Sequence, residues 1–250
     1  VVDSQSTDRT IEIAEKTGAQ VVQFDYKGGW PKKKNWALDN LPFKNEWVLI
    51  LDADECLPPE AEEEIRRIIE SSDATHSGYW INRRYFFMGK PLKHAYFPNW
   101  NLRLFKHRLG RYEKITGGDT DSGDHEIHEH VVVEGTTGKL KAIMDHHAFP
   151  TIESFVEKHN RYSNWEAVVE STGKDEAGSL QHKGVRGKRL LRRIFRKLPF
   201  RPTLRFLYVF LWQGGWLDGW PGYVFAKLHA QYEFLSVVKA KEHSRREKTG

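Results

Sequence analysis

The rhythm of apolar and polar positions changes several times over residues 1–71, and each change predicts an element. Val1–Val2 reads as the end of a buried strand running into Asp3. A helix is expected over 8–17, with Ser6 or Thr7 as N-cap, Asp8 in the first turn and Gly18 as its stop. QVVQF (20–24) reads as a short strand, the Gly- and Pro-bearing stretch YKGGWPKKKN as a loop, and KNWALDNL as the start of a second helix. Trp47–Leu51 is an unbroken run of five apolar residues, which predicts a central parallel strand covered on both faces. Pro58–Pro59 end that strand and open a third helix, with acids in its first turn and Ile65, Ile68 and Ile69 along one face. Strand and helix in alternation predict an α/β fold, a doubly wound and mostly parallel sheet with flanking helices.

After Ser71 the texture becomes aromatic and β-prone. GYWINRRYFFMG (78–89), NLRLFK (101–106) and EHVVVEG (129–135) read as strands, with the polar, Gly-rich loop 116–124 between the last two. Helices are expected again from Ile152 to Ser171, followed by a linker over 171–179. From Gln181 to Leu217 there is no Asp or Glu, while ten Lys and Arg fall between Lys183 and Arg205. Within that stretch Leu190, Leu191, Ile194, Phe195 and Leu198 recur at helical spacing, which is the pattern of an interfacial helix. LRFLYVFLW (204–212) extends the apolar surface but is too short to span a bilayer. A field of that sign attracts phosphate, in lipid headgroups or nucleic acid, and no nucleic-acid-binding module accompanies it. The alternative is a helical pair that packs on the rest of the chain or mediates dimerisation.

Composition narrows the class without choosing the chemistry. The 250 residues suffice for one large α/β domain or two small ones, and 39% hydrophobic with 29% charged residues excludes disorder as the main state. The single cysteine, Cys56, forbids an internal disulfide and suits a reducing compartment. VVDSQSTDRT opens as though inside a strand, so an upstream strand and helix are expected to be missing.

The candidate chemistry starts where the apolar run meets Asp52, Asp54 and Glu55. Ligands in open α/β sheets bind outside the carboxyl ends of strands, and two carboxylates one residue apart can converge on a hard divalent cation that in turn holds a diphosphate. Taken alone, Asp-x-Asp is equally a strand-terminating turn with a helix-capping acid. Asp3 also stands at a strand end, as a ligand contact or as a turn residue. Lys32, Lys33, Lys34 and Asn35 lie ahead of a helix, suited to a phosphate or base edge or simply solvated. Arg103 could reach a diphosphate or an acceptor, or pair across strands, and Trp100 could stack on a sugar or fill the core. DHEIHEHV is no zinc-protease motif, because Glu129 stands where the second histidine is required. A zinc site built from His125, His128, His130, His146 and His147 lacks a cysteine partner and has strand-like spacing.

VVDSQSTDRT, KKKNWAL and VLILDADECLPPE, in this order, resemble the nucleotide-sugar half of the family 2 glycosyltransferases. GYWINRRYFFMGKPL, FPNWNLRLFK, IHEHV and GGWLDGWPGYVFAKLHAQYEFLSVVKAKE extend the resemblance to the bacterial subgroup that builds lipopolysaccharide core and exopolysaccharide, of the β-1,4-glucosyltransferase type. That family's first strand, with its P-x-Y-N-E-like turn, has no counterpart in this sequence. The resemblance implies a GT-A fold, with a catalytic domain over 1–150 (nucleotide-sugar half 1–72, acceptor half 73–150) and a helical region over 151–250 whose segment 182–240 meets an anionic membrane. It implies inverting transfer of a hexose, glucose from a UDP-sugar, to a lipid-linked or lipopolysaccharide-core sugar on the cytoplasmic side of a bacterial plasma membrane. Asp3 would contact base or ribose, Asp52 would lie near ribose and sugar, and Asp54 would ligate Mg²⁺ or Mn²⁺. The base would be Glu129, with His128 orienting it or touching phosphate and Asp124 in reserve. The rival is a non-catalytic membrane- or glycan-binding module derived from such an enzyme.

Overall fold

The computed structural model describes residues 1–28, 30–71, 75–113, 130–172, 195–196 and 198–249. The order begins β1 (Val2–Asp3), α1 (Thr10–Lys16), β2 (Val22–Gln23), α2 (Lys33–Asn40), β3 (Trp47–Leu49), β4 (Glu55–Cys56) and α3 (Pro59–Glu70). It continues β5 (Gly78–Phe87), β6 (Lys90–Pro91), β7 (Asn99–Lys106), β8 (Gly110–Tyr112), β9 (Val131–Val133) and β10 (Thr137–Phe149). The C-terminal part comprises α4 (Ile152–Thr172), α5 (Arg201–Leu207), a π-helical turn (Tyr208–Trp212), a 3-10 turn (Gly215–Asp218) and α6 (Gly219–Thr249).

The expected helices and strands largely form, but the α1 cap differs. Ser6 turns back onto Asp3, and Asp8 accepts a hydrogen bond from the amide of Thr10 at 3.0 Å. Gly18, at φ +80°, ends the helix. The sheet departs from the expected mostly parallel arrangement. Its strands run β3-β7-β5-β10-β4, with β6 against β5, and only β5–β10 within it is parallel. β1 and β2 form a separate parallel pair and β8–β9 an antiparallel one. Trp47–Leu49 is therefore an end strand paired antiparallel to β7, not a central parallel one. A continuous apolar run reports cover on both faces and says nothing about strand direction. The architecture is still a curled α/β sheet with flanking helices, as expected.

α3 shows why both faces are covered. Ile65 and Ile68 pack on Tyr79, Ile81, Leu104, Leu140 and Met144, while Ile69 is 43% exposed. Leu38 of α2 packs against Leu102, Phe105 and the β8–β9 ribbon. The longest strand, β10, is not among the expected elements although its alternation is plain: Leu140, Ala142, Met144, His146 and Ala148 are all buried.

The C-terminal helices close over the end of β5. Phe87, Leu92, Ala95, Phe155, Val209, Phe225 and Ala226 make one buried cluster. Beside it His159 stacks on Phe155 at 3.8 Å and His229 stacks on Tyr96 at 4.4 Å. Burial pushes the His159 ring down to about 4, from an ordinary 6.5, and pushes His229 the same way. The unfolded chain takes up the His159 proton as pH falls through about 6.5, and the folded chain does so only near 4. Stability is thus full above that window and declines within it, by about 3 kcal/mol for one such site. Thermal melts from neutral pH down to 4 are expected to show this decline, and His159→Gln to flatten it.

Basic residues of the tail are spent inside this layer. Arg201 pairs with Glu233 at 2.6 Å and Glu170 at 2.7 Å, Arg205 with Glu233 at 3.2 Å, and Arg196 with Glu166 at 2.7 Å. These three are therefore not free to meet phosphate in the way their lack of local acids in sequence suggested. The loop 116–124, the linker from 173 onward and the apolar positions 190, 191 and 194 lie outside the described residues. The turn before α6 is drawn in by glycine: a Cβ on Gly222 would sit 2.0 Å from the Gly215 carbonyl oxygen. Gly222→Ala is expected to cost about 1–3 kcal/mol in a urea titration.

Candidate active site

The carboxylates that follow β3 lie on a tight turn, closed twice. The Glu55 amide donates to the Asp52 carbonyl at 3.0 Å, and the Asp52 amide donates to Glu55 Oε2 at 2.9 Å. β4 then pairs with β10, setting His146 opposite Glu55, while the His147 amide donates to the Asp54 carbonyl at 2.7 Å. The turn thus crosses from the end of β7 to β10, and its three carboxylates separate.

Asp52 faces two cations. Lys34 Nζ is 2.6 Å from its Oδ1 and Arg103 Nη2 is 2.6 Å from its Oδ2. Burial works against its charge, yet Arg103 and Lys34 outweigh burial and hold the carboxyl well below the usual range. Arg103 reaches this position through a β-bulge. Tyr79 faces Leu104 and Trp80 faces Leu102, which leaves Arg103 as the extra residue of β7. Of the two readings open for Arg103, the ion pair is present, with Asp52 and Glu55.

Glu55, for which the sequence suggested no more than a helix-leading acid, is the organiser. Its side chain is 0% exposed, and Oε1 accepts from Arg103 at 2.5 Å and Arg83 at 2.9 Å. Asp52 and Glu55 are tolerable one turn apart because two guanidinium groups and a lysine answer them.

Asp54 points the other way. Its Oδ1 is 3.3 Å from His146 Nε2 and its Oδ2 is 3.9 Å from Lys158 Nζ, with about a third of the side chain exposed. Burial opposes its ionisation, but His146 and Lys158 hold its carboxyl below the ordinary value. His146 is the site residue that sequence reasoning considered only for zinc. Its position on the inward rank of an alternating strand was the available signal. Among the described residues no group of three or more His, Cys, Asp and Glu could hold a metal ion. A carboxylate and an imidazole side by side supply two donors, which leaves a divalent cation to draw others from diphosphate oxygens and water. That donor set fits Mg²⁺ or Mn²⁺ bound together with a nucleotide.

The remaining expected residues lie as follows. Asp3 is buried, with Ser6 Oγ at 2.5 Å, the Ser6 amide at 2.9 Å and Gln23 Nε2 at 3.0 Å, and these hydrogen bonds lower its carboxyl to about 2. The Asn35 side chain is committed to the backbone of Tyr112, donating to its carbonyl and accepting from its amide, both at 2.9 Å. Asn35 therefore pins Tyr112, whose ring lies under Lys34 at 5.5 Å, rather than offering its amide to a base edge. Trp100 is half-buried with Lys139 Nζ 4.6 Å above its ring, so it is not a core residue. Asp124, His128 and Glu129 lie outside the described residues.

A curled α/β sheet with flanking helices is consistent with the GT-A class of fold. Residues 1–124 match the family described as Glycosyl transferase family 2. Over 251 residues the chain is 28% identical to the lipopolysaccharide core biosynthesis glycosyltransferase LpsC of Rhizobium meliloti, covering 96% of this chain and 80% of that one. It is 27% identical over 246 residues to an uncharacterized glycosyltransferase of Rickettsia typhi, covering 98% and 77%. A second such relative, from Rickettsia conorii, is 32% identical over 169 residues, covering 67% and 58%. The chain belongs to the family 2 glycosyltransferases and is an enzyme.

Proposed function

We propose that the enzyme inverts the anomeric centre of a hexose as it moves it, glucose from UDP-glucose, onto a lipid-linked or lipopolysaccharide-core sugar at the cytoplasmic face of a bacterial membrane. The observation that carries this reading is the division between the aspartates: Asp52 is neutralised by Lys34 and Arg103, while Asp54 stands beside His146 with part of its surface open. The name of the Rhizobium meliloti relative supports the acceptor class.

In this reading Asp54 and His146 hold Mg²⁺ or Mn²⁺ together with the diphosphate. Such a cation, when bound there, would supply stabilisation for the charge developing on the departing nucleoside diphosphate. Lys34 and Arg103 present cationic edges toward the same diphosphate and keep Asp52 oriented toward ribose and sugar. Asp3 receives the base or ribose. Asp52 is a poor general base, because a carboxyl held ionised so far below neutrality has little affinity for a proton. The base that takes the acceptor hydroxyl's proton is Glu129, with His128 as its orienting partner and Asp124 as the alternative.

A panel of nucleotide sugars read by UDP release tests the whole reading. UDP-glucose turnover is expected, abolished by chelation and restored by Mn²⁺; no cation-dependent release with any UDP-sugar overturns it. Glu129→Gln is expected to lose transfer by a factor of about 10²–10⁴ while keeping cation-dependent UDP binding in calorimetry. Loss of both together would place Glu129 in the binding site instead.

A further inference from the structure

The described part of the C-terminal region carries a concentration of exposed aromatic surface that the reaction does not use. Tyr208, Leu211 and Trp212 share one face of the π-helical turn at spacings of three and four, exposed by 46%, 57% and 84%. Trp216, Leu217 and Trp220 follow on the next turn at 55%, 52% and 66%. The two turns are pressed together, since the Gly214 amide donates to Leu211 and the Leu217 amide to Gly214, and Gly215 lies against the Val209 carbonyl. The six side chains thus belong to one rigid corner of the fold.

Two observations say what covers this corner. First, it bears no exposed acid. Between Leu198 and Tyr232 the single acidic residue is Asp218. Its side chain is 3% exposed and accepts from the amides of Lys93 at 2.8 Å, His94 at 3.1 Å and Ala95 at 2.8 Å. Lys93 and Lys227, both exposed, flank the corner, so the surrounding charge is positive. Second, three tryptophans and a tyrosine among six residues are the side chains that partition to the bilayer interface, with an apolar ring and a polar N–H or O–H. No described helix is long and apolar enough to cross a membrane, so engagement would be shallow.

We infer that this corner inserts into the headgroup region of an anionic bilayer, and that aromatic burial rather than arginine charge supplies the lasting part of the attachment. The inference rests on the proposed lipid-linked acceptor for its purpose. Arg196, Arg201 and Arg205 are already paired inside the protein. The Asp218 bonds fix the corner to the loop that leads into β7, the strand carrying Arg103. Insertion would therefore set the orientation of the active site relative to the lipid surface.

The test is flotation with vesicles of phosphatidylethanolamine and phosphatidylglycerol, at physiological and at about 1 M salt, where charge attraction is screened within a few ångströms. The protein is expected to float at both. The triple variant Trp212→Ala/Trp216→Ala/Trp220→Ala should lose binding at least about tenfold in high salt, and the corresponding triple Phe variant should keep most of it. UDP-sugar hydrolysis in solution should be unchanged in both. The inference is overturned if the Ala variant binds as the parent does, or if the parent floats only at low salt. It is equally overturned if light scattering shows a dimer that the Ala variant dissolves without any change in vesicle binding, since a second copy then covers the corner. Tryptophan-dependent flotation of a protein that hydrolyses no UDP-sugar would leave the membrane corner standing and refute the proposed donor.

Discussion

Asp54→Ala is expected to lower turnover by about 10³ or more while leaving the fold intact, because it removes the carboxylate of the turn that no guanidinium contacts and that stays partly open to solvent. Asp54 shares its environment with His146 and Lys158 at 3.3 and 3.9 Å, and Lys158 also donates to the Ala148 carbonyl at 2.9 Å. Its loss should therefore appear in kcat and in cation-dependent UDP binding, with a melting temperature close to that of the parent. The matched variant is His146→Ala, expected to weaken Mn²⁺ dependence in the same direction. Undiminished turnover by Asp54→Ala would remove the cation from its proposed place.

Glu55→Ala carries the larger consequence for stability. It would leave Arg103, Arg83 and the Asp52 amide without their shared acceptor in a site where Glu55 and Arg103 are almost wholly buried. Removing one partner from a buried charge network costs about 3–5 kcal/mol, because the surviving charges stay desolvated. Urea midpoints should fall accordingly, and activity with them, since Arg103 would lose the second anchor that holds it against Asp52. Glu55→Gln keeps the hydrogen-bond geometry but not the charge and should fall between the two. A change below about 1 kcal/mol for Glu55→Ala would mean that water or a rearranged Asp52 replaces it.

Much of this was legible along the chain. The α3 limits, Pro59 to Glu70, follow from a proline at the start, acids in the first turn and an isoleucine face, all local signals. The position of Asp52 and Asp54 after an apolar strand is also local, whereas the bonds that commit Asn35 to Tyr112 span 77 positions and are not. β10 is readable too, from its alternation at 140, 142, 144, 146 and 148.

What no local pattern contains is which partner each carboxylate meets. Asp52 and Asp54 look alike in sequence, yet one turns to Lys34 and Arg103 and the other to His146 and Lys158. That difference arises because β4 pairs with β10 and because a bulge in β7 re-aims Arg103, contacts that join residues tens of positions apart. Glu55 shows the same limit: beside Pro58–Pro59 it reads as a helix-leading acid, and only the bulge and the neighbouring Arg83 make it the buried centre of the turn. Spacing along a chain records the periodicity of single elements, which is why the helices and the acidic turn could be read from it. Strand order, direction and bulges are settled by the packing of distant elements, and those decided the chemistry of this site.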